Sequence, residues 1–346
     1  EFSSLYIFHL RGNARTSGEQ RKKESGGIFG EGSRAPIAIS ILVKNPNAQQ
    51  HSKIYFRDIG DYLTREKKLK TIKKFRSIDG ITRSKKGWQI ITPDKHGDWL
   101  GQRDNSFNAF LAIGDKGDKK GHGKKLFEMF SCGILTSRDA WAYNSSREVV
   151  AKNMDNMICF YNSEIKRFND AYAHVDRKAR AKAVNHFVNS DTRKISWSSS
   201  LKQELTRGKS SEFKSGCLVQ SLYRPFTHQW LYCNRIFNHR VHQMPCIFPM
   251  GRIVENRMIQ ITGTGAKKDF SVLMIKTVSD FQVIENGQCF PRYFYEDTTV
   301  SKGKSKQQSH LFANTTEESK TVGLQRHDAI TDEGLAHFKA AYPNEK

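Results

Sequence analysis

Short apolar runs separated by long polar loops characterise the first sixty residues. Leu5–Leu10 is one such run, and the polar loop that follows it is long for a connection between two elements. The second run, Ile37–Val43, is apolar apart from one serine, which predicts a strand buried on both faces. Residues 51–60, HSKIYFRDIG, alternate apolar and polar positions and predict a third, half-exposed strand.

Helical spacing begins after these strands. Residues 64–76 predict a basic helix that begins at a Thr64 cap. Its apolar stripe is assigned to Leu69, Ile72 and Phe75. Its basic side chains are predicted to form a solvated surface or a phosphate-binding one: Lys67, Lys68, Lys70, Lys73 and Lys74.

The rest of the chain changes period twice. Helical spacing continues over residues 137–188, where Ser145 or Ser146 is predicted to cap the clearest helix. Strands and turns are predicted over 214–295, and a last helix is predicted after a Thr331 cap. The polar stretch 302–321 predicts disorder. Helices and strands in this order predict a mixed α+β fold.

The net charge of the chain indicates which class of molecule it binds. The 346-residue chain carries 57 Lys and Arg against 35 Asp and Glu, a formal net charge of +22, and its pI is near 9.7. So large a cationic excess favours nucleic acid as the partner, and a basic soluble protein without such a partner is the alternative. No apolar run approaches the ~18 residues of a membrane span, and no lipidation signal is present, so a membrane partner is not expected.

Two glycine-containing stretches invite comparison with phosphate-binding loops. GIFGEGSR, residues 27–34, has the glycine spacing of a Walker A loop, but Arg34 replaces the lysine and a β-run follows instead of a helix. RGKSS, residues 207–211, has Gln203 where the first glycine belongs. We therefore expect no nucleotide site at either stretch. The G-x-G-x-x-G, H-E-x-x-H and G-x-S-x-G motifs are also absent from the sequence.

The six cysteines are far apart and include no C-x-x-C pair, which suggests reduced thiols in a cytosol. Four possible zinc ligands fall within one stretch: Cys233, His239, His242 and Cys246. Their spacing is not the paired spacing of zinc fingers, so a basic loop with a buried thiol at either end is the preferred interpretation. No metal site is predicted.

Phe29 stands inside the first glycine-rich stretch. Glycine permits close backbone approach to a ligand, and an exposed phenylalanine offers a face on which a planar base stacks. From composition alone, burial in a core is the commoner fate of a phenylalanine, and both interpretations stay open at this point.

The sequence also resembles a known family. The stretch LYIFHLRGNARTSGEQRKKESGGIFGEGSRAPIAISILVKNP is similar to the end of the adenine-N6 methyltransferase domain of single-chain type I (type ISP) restriction-modification enzymes. The resemblance continues through YFRDIGDYLTREKKL, ISWSSSLKQELTRGK, SLYRPFTHQWLYCNRIFN, MPCIFP, QCFPRYFYE and DAITDEGLAHFKAAY, and so covers most of the chain.

The resemblance implies a domain organisation. Residues 1–60 are expected to hold the last strands of the methyltransferase α/β sheet, and residues 61–300 a mixed α/β DNA target-recognition domain. Residues 301–323 are expected to be a disordered linker, and 324–346 the start of a C-terminal helical segment. We expect the chain to be part of a longer polypeptide with upstream methyltransferase, helicase-like and nuclease domains, in which case the half-sheet in residues 1–60 exposes an edge.

Catalytic residues are not expected in this chain. Methyl transfer in that family uses an N/D-P-P-Y/F motif and a glycine-rich loop for S-adenosylmethionine, and this sequence has no Pro-Pro pair. The parent enzyme is expected to be an adenine-specific DNA methyltransferase with nuclease and ATPase activities in the bacterial cytoplasm, using S-adenosylmethionine, ATP and Mg²⁺. The chain alone is expected to be inactive and to hold no cofactor.

The resemblance places Phe29 where related adenine methyltransferases stack an aromatic ring on the flipped adenine, which favours the functional interpretation of this residue. Basic and amide side chains in the neighbouring loops and in the second half are candidates for phosphate and base-edge contacts. These predicted DNA-binding residues are Arg11, Asn13, Arg15, Arg21, Lys22, Arg34, Arg207, Lys209, Arg224, Arg235 and Arg240.

Some of these residues have a structural alternative or a more specific predicted contact. Arg11 and Asn13 could instead order their own loop. Arg207 and Lys209 are expected to bind a phosphate together with backbone amides of their turn. Four aromatic residues lie near Arg224 in the sequence, Tyr223, Phe226, Trp230 and Tyr232, and most of the four are expected to be core.

Two other functions stay open. An RNA-binding or RNA-modifying protein would also suit the aromatic and basic composition. A docking segment of a larger enzyme would direct its positive surface toward a neighbouring domain rather than toward DNA. The recognised base sequence cannot be deduced from residue spacing.

Overall fold

The computed structural model describes residues 2–29, 33–100, 103–104, 106, 109–115, 123–249, 254–298 and 323–344. The chain forms two compact units, one of residues 1–110 with 262–270, the other of residues 111–261 with 271–346. The predicted boundary at residue 60 therefore lies inside the first unit. Apart from Gly323, the predicted linker 301–323 lies outside the described residues.

In the residues that the structure describes, the first unit contains a four-stranded sheet and three helices. Its strands are β1 (Ser4–His9), β2 (Ala38–Val43), β3 (Lys53–Asp58) and β4 (Gln89–Ile91), and its helices are α1 (Gly18–Glu24), α2 (Arg65–Phe75) and α3 (Ile78–Thr82). The strand order is β2-β1-β3-β4, in which β1 pairs antiparallel with β2 and parallel with β3. The predicted strands and the Thr64 cap of α2 are present, and the Thr64 side chain accepts a hydrogen bond from the Lys67 amide.

Strand β2 corrects one prediction. It was expected to be buried on both faces, yet within the described residues it pairs only with β1 and lies at an edge of the sheet. Its side chains are exposed from Ala38 to Leu42, including Ile39, Ile41 and Leu42. An apolar run is buried only where other elements cover it, and the described residues of this chain do not cover β2.

Helix α2 corrects another prediction. Lys68 was assigned to the solvated basic surface, but its side chain is completely buried, whereas Leu69 is exposed. Ile72 and Phe75 pack against the cluster of Phe8, Leu10, Ile28 and Ile81 beneath the sheet, as their spacing predicts. The apolar face of the helix is therefore turned by one residue relative to the prediction.

The second unit contains three small sheets. Its strands are β5 (Ser131–Cys132), β6 (Tyr143–Asn144), β7 (Leu218–Arg224), β8 (Thr227–Tyr232), β9 (Met258–Ile261), β10 (Val272–Ile275), β11 (Val278–Ser279), β12 (Gln288–Pro291), β13 (Tyr293–Asp297) and β14 (Leu324–Asp328). The sheet orders are β11-β7-β8-β6, β10-β9-β12-β5 and β13-β14. The helices are α4 (Asp139–Ala142), α5 (Arg147–Ala171), α6 (Arg177–Phe187), α7 (Ser199–Thr206), α8 (Met244–Ile247) and α9 (Asp332–Ala341).

Helix α5 is central to the core of this unit. It begins at the predicted Ser146 cap, whose side chain accepts from the Val149 amide, and its apolar positions recur at helical spacing. Its buried face packs with α7, β7 and β8 into one hydrophobic cluster, in which Tyr161, Phe168 and Tyr232 are fully buried. These sheets and helices confirm the predicted mixed α/β class. No helix in the described ranges has the length and apolar character needed to span a membrane.

Candidate nucleic-acid interface

Phe29 is an exposed aromatic residue on a fixed support. The preceding residue, Ile28, is buried against Phe8, Leu10 and Ile81, whereas the Phe29 side chain is 71% exposed. Phe29 is therefore not a core residue of the first unit. An exposed ring next to a buried anchor can stack on a planar ligand without first leaving a core.

The side chains of Arg11 and Asn13 order their own loop. Arg11 is at φ +56° and donates from Nε to both carboxylate oxygens of Asp58 at 2.9 Å. The Asn13 side chain accepts from the Arg15 amide at 3.0 Å, and the Asn13 amide donates to Glu24. Burial opposes ionisation of Asp58, but hydrogen bonds from His9 and Arg11 outweigh it and lower the pKa of Asp58 to about 2.

A cavity of about 420 Å³ lies beside Arg11. Its lining includes His9 and Lys23, but also the carboxylates of Glu24, Asp58 and Asp61. Three carboxylates repel a phosphate and are partly paired with the cations around them. This cavity is a poor candidate for contact with a nucleic-acid backbone.

The remaining predicted cations of the first unit differ in what they contact. Arg21 donates to the Ser25 carbonyl at 2.6 Å, and Lys22 pairs with Glu19 at 3.3 Å. Arg15 and Arg34 are exposed, and in the part of the chain that the structure describes their side chains make no hydrogen bond or ion pair. A backbone hydrogen bond from Ala14 to Arg34 joins the two loops that carry them. Arg15 and Arg34 are thus two available cations in the loops next to Phe29.

The second unit has a cavity of about 410 Å³ in which three predicted DNA-binding residues meet: Lys209, Arg235 and Arg240. Arg235 follows β8 in a turn that Asn234 and Asn238 order through hydrogen bonds to backbone amides. The backbone of Arg240 pairs with Leu135, and Lys209 follows α7. Two segments, residues 203–209 and 235–243, therefore bring these cations to one cavity, which we call the basic cavity.

Positive charge dominates the basic cavity. Glu204 is the one acidic side chain among the described residues that line it, and it pairs with Lys209 at 3.5 Å and with Arg207, outside the lining, at 2.9 Å. Arg240 donates to the His239 carbonyl, and Arg235 is exposed without a side-chain partner in the described ranges. Arg235 and Arg240 are therefore not neutralised by a carboxylate.

Neutral polar groups line the basic cavity between the cations. Burial, together with the charges of Arg240 and Arg138, lowers the pKa of His239, so its imidazole is neutral at pH 7 and its Nδ1 shares a hydrogen bond with Ser200 at 2.9 Å. Other polar side chains of the lining are Ser131, Gln203, Asn238, His242 and Gln243. Amide and imidazole groups among arginines are the donors and acceptors that read base edges.

The predicted amide clamp at residues 207–211 is not formed. The amides of Arg207, Gly208 and Lys209 donate to the carbonyls of Glu204 and Leu205, and so they close the end of α7. Gly208 is at φ +66°, which suits this helix ending. The amides of residues 207–209 are therefore not available to a phosphate, because they are already hydrogen-bonded.

Arg224 lies outside the basic cavity. It pairs with the buried Asp280 at 2.9 Å and with Asp139 at 3.7 Å, and its guanidinium lies 3.9 Å from the Tyr223 ring centre. Burial of Asp280 outweighs the hydrogen bonds from the Gln282 amide and Arg224 and raises its pKa to about 6. Arg224 therefore has the contacts of a structural residue.

The aromatic residues near Arg224 have different environments. Tyr232 is buried as predicted, and Tyr223 and Trp230 are half-buried. Phe226 is 85% exposed at φ +62° in the turn between β7 and β8, and it is the exception among these four aromatic residues. A hairpin turn carries its side chains away from the sheet, which the spacing of aromatics does not reveal.

The four possible zinc ligands are not gathered into one site. Within the described residues no three His, Cys, Asp or Glu side chains form a group that could hold a metal ion. His239 and His242 line the basic cavity instead, whereas Cys233 is fully buried in the core. From the sequence these histidines were considered only as metal ligands, although they lie in a stretch rich in arginine and asparagine.

The family follows from a comparison with protein-family models. Residues 125–346 match the model described as the Type ISP C-terminal specificity domain. The chain belongs to this family. The match includes every residue that lines the basic cavity and confirms the resemblance drawn from the sequence. A search of curated proteins found no match.

Two solved structures of Type ISP restriction-modification enzymes, each in complex with DNA or a DNA mimic, are similar to almost the whole chain. A nuclease-deletion mutant of the Type ISP restriction-modification enzyme LlaGI, in complex with a DNA substrate mimic, is 36% identical with a TM-score of 0.63. The match covers 99% of this chain and 24% of that one. The ATP-dependent Type ISP enzyme LlaBIII bound to DNA is 26% identical with a TM-score of 0.62, covering 100% and 20%.

A third similar structure is a DrdV–DNA complex solved by cryo-electron microscopy. It is 26% identical with a TM-score of 0.63, and the match covers 99% of this chain and 29% of that one. The chain thus spans less than a third of the length of each of these three proteins.

Proposed function

We propose that this chain recognises double-stranded DNA as the specificity part of a Type ISP restriction-modification enzyme. The observation that carries the proposal is the basic cavity, where Arg235 and Arg240 stand among neutral amide and imidazole groups inside the family match. The similar structures are DNA-bound enzymes, which supports DNA as the partner. In this mechanism cations hold the phosphates while amides and arginines read base edges in a groove.

In the first unit, Phe29 would stack on an adenine that the parent enzyme has flipped out of the duplex. Arg15 and Arg34 would hold the phosphates beside the extruded nucleotide. The exposure of Phe29 supports this role, because a flipped base needs an accessible aromatic face. Arg11 and Asn13 would act indirectly, by ordering the loop that carries Arg15.

The remaining activities are proposed for the parent enzyme and not for this chain. They are adenine-N6 methylation with S-adenosylmethionine, and ATP- and Mg²⁺-dependent helicase-like and nuclease functions, in a bacterial cytoplasm. The sequence holds neither the Pro-Pro motif nor the glycine-rich cofactor loop, so no step here depends on these cofactors. The exposed β2 edge supports continuation of the methyltransferase sheet into upstream strands of the same polypeptide.

A salt titration with this chain tests DNA recognition. Fluorescence anisotropy of a labelled duplex should give a log–log slope of affinity against salt steeper than about −2, because several phosphates are neutralised at once. An RNA duplex of the same sequence serves as the competitor. Equal competition by RNA would support the RNA-binding alternative, and absence of binding at low salt would support the docking alternative.

A second experiment tests the stacking role in the full-length parent enzyme. Phe29→Ala should reduce the single-turnover methylation rate by about 5- to 150-fold, since stacking on one base adds ~1–3 kcal/mol. DNA affinity should change by less than threefold, because the phosphate contacts that dominate it are unaltered. Phe226→Ala, which removes another exposed ring in a hairpin turn, is the matched control. An unchanged methylation rate for Phe29→Ala would exclude the stacking role.

A further inference from the structure

Helix α2 contains one lysine that differs from its neighbours. Lys68 is completely buried, whereas Lys67, Lys70, Lys73 and Lys74 are exposed. Its ammonium donates to the Glu24 carbonyl at 2.9 Å and to the Gly26 carbonyl at 2.8 Å. A buried ammonium needs such acceptors because it has lost its water. Lys68 thus binds the end of α1 and the first glycine after it.

Arg65, one turn earlier on the same face of α2, continues this pattern. Its Nε donates to the Ile28 carbonyl at 2.8 Å. The carbonyls bound by the two side chains belong to residues 24, 26 and 28, which are alternate positions of one segment. The segment is therefore held at three points along α2, and the last of them directly precedes Phe29.

The other hydrogen bonds of the segment lie at its first two residues, where the Glu24 carboxylate accepts from the Asn13 amide and the Ser25 carbonyl accepts from Arg21. Two of its residues are glycines, which gain most from external restraint because their backbones are the most flexible. Ile28 adds one buried side chain in the cluster with Phe8 and Ile81. Without the donors from α2, the Glu24 and Gly26 carbonyls would lose a buried partner, and residues 26–28 would be anchored mainly through the Ile28 side chain.

We propose that Lys68 and Arg65 are positioning residues that fix the segment 24–28 and thereby hold the Phe29 ring in its exposed orientation. This inference deepens the proposed function and rests on it, because the fixed orientation would serve to receive a flipped adenine. Lys68 and Arg65 are not proposed to contact a base or a cofactor. Their effect passes through the backbone of the glycine segment.

Hydrogen–deuterium exchange on this chain tests the positioning directly. Lys68→Met and Arg65→Met should each raise amide exchange in residues 25–29 by at least tenfold, while Lys70→Met, an exposed lysine of the same helix, should leave it unchanged. Thermal unfolding followed by circular dichroism checks that each variant is folded. Arg65 is exposed apart from its bond to Ile28, so Arg65→Met should fold even if Lys68→Met does not. Unchanged exchange in Arg65→Met would overturn the inference.

Methylation by the full-length parent enzyme separates this inference from the function assigned to Phe29. Arg65→Met should lower the single-turnover rate with DNA affinity unchanged within threefold, and should have no further effect when added to Phe29→Ala, since both act on one ring. Additive losses would overturn the inference. Faster exchange with an unchanged methylation rate would uphold the positioning and refute the stacking role.

Discussion

The basic cavity predicts how two substitutions change the salt dependence of DNA binding. Arg235→Gln and Arg240→Gln together remove the two cations of the cavity that no carboxylate neutralises. Each phosphate contact contributes ~0.9 to the slope of log affinity against log salt. If both arginines contact phosphates, the slope should become shallower by about 1.8. Over a fourfold change in salt this is about a twelvefold smaller loss of affinity.

Lys209 should contribute less than the two arginines, because Glu204 lies 3.5 Å from its ammonium. Lys209→Gln alone is therefore expected to change the slope by less than ~0.9. A guanine-reading arginine would behave differently, since its loss costs ~1–3 kcal/mol at one base position and relaxes the sequence preference there. Titrating each single variant against duplexes of different sequence distinguishes phosphate contact from base contact.

The assay is anisotropy with labelled duplex DNA between 50 and 200 mM salt. The matched control is Lys178→Gln with Lys182→Gln, which removes two exposed cations of α6 that do not line the cavity. This control has the same net charge as the arginine double variant. If both double variants shift the slope equally, binding follows total charge and not the cavity. If the arginine variant changes neither slope nor sequence preference, the proposed interface is wrong.

Three further predictions concern stability and association. Asp58→Asn should destabilise the fold by about 1 kcal/mol at pH 7, a figure discounted for solvent screening, because the ionised Asp58 carboxylate, whose pKa is lowered, stabilises the fold above pH 4. In urea unfolding, the stability difference between the unmodified chain and the variant should fade as the pH falls toward 2. Arg224→Met should lower the free energy of unfolding by ~3 kcal/mol at pH 7, because it leaves Asp280 without its cation. The loss should be smaller at pH 5, where Asp280 is protonated because its pKa is raised to about 6. Equal losses at both pH values would contradict this. The exposed β2 edge should let the chain self-associate at high salt, where its positive charges are screened, and Ile41→Lys should abolish this in sedimentation experiments.

The features that the sequence predicted well depend on near neighbours. Strands β1 and β3 follow from local apolar patterns, and the helix caps at Thr64, Ser146 and Thr331 each accept a hydrogen bond from an amide three residues later. A cap needs only its own helix to form, so its signal is complete within four residues. The exposed side chain of Phe29 agrees with the role that the resemblance implied, although that role itself stays a prediction.

The features that the sequence did not reveal depend on distant partners. Arg224 was predicted to bind DNA because it lies in a basic, aromatic stretch, but its carboxylate partner is 56 residues away at Asp280. The basic cavity likewise combines segments around residues 131, 204 and 240. Spacing within one segment carries no information about which other segment folds against it. Strand β2 was misjudged for the same reason, since burial of a strand is decided by its neighbours in the sheet.

Lys68 lies between these two cases. From the sequence, Lys68 was grouped with four other lysines of α2, and Leu69 was predicted to belong to the apolar stripe of the helix. Helical geometry gives a different answer, because Lys68 is four residues before Ile72 and seven before Phe75, which is the spacing of a single face. Leu69 is one residue off that face and is 41% exposed.

A lysine in phase with a buried apolar stripe either extends its ammonium to solvent or brings it to buried acceptors. Helical phase alone singles out Lys68 from the neighbouring lysines. What it cannot supply is the identity of the acceptors. These are the carbonyls of a glycine segment about 40 residues earlier in the chain. Because this segment directly precedes Phe29, Lys68 is proposed to position the Phe29 ring.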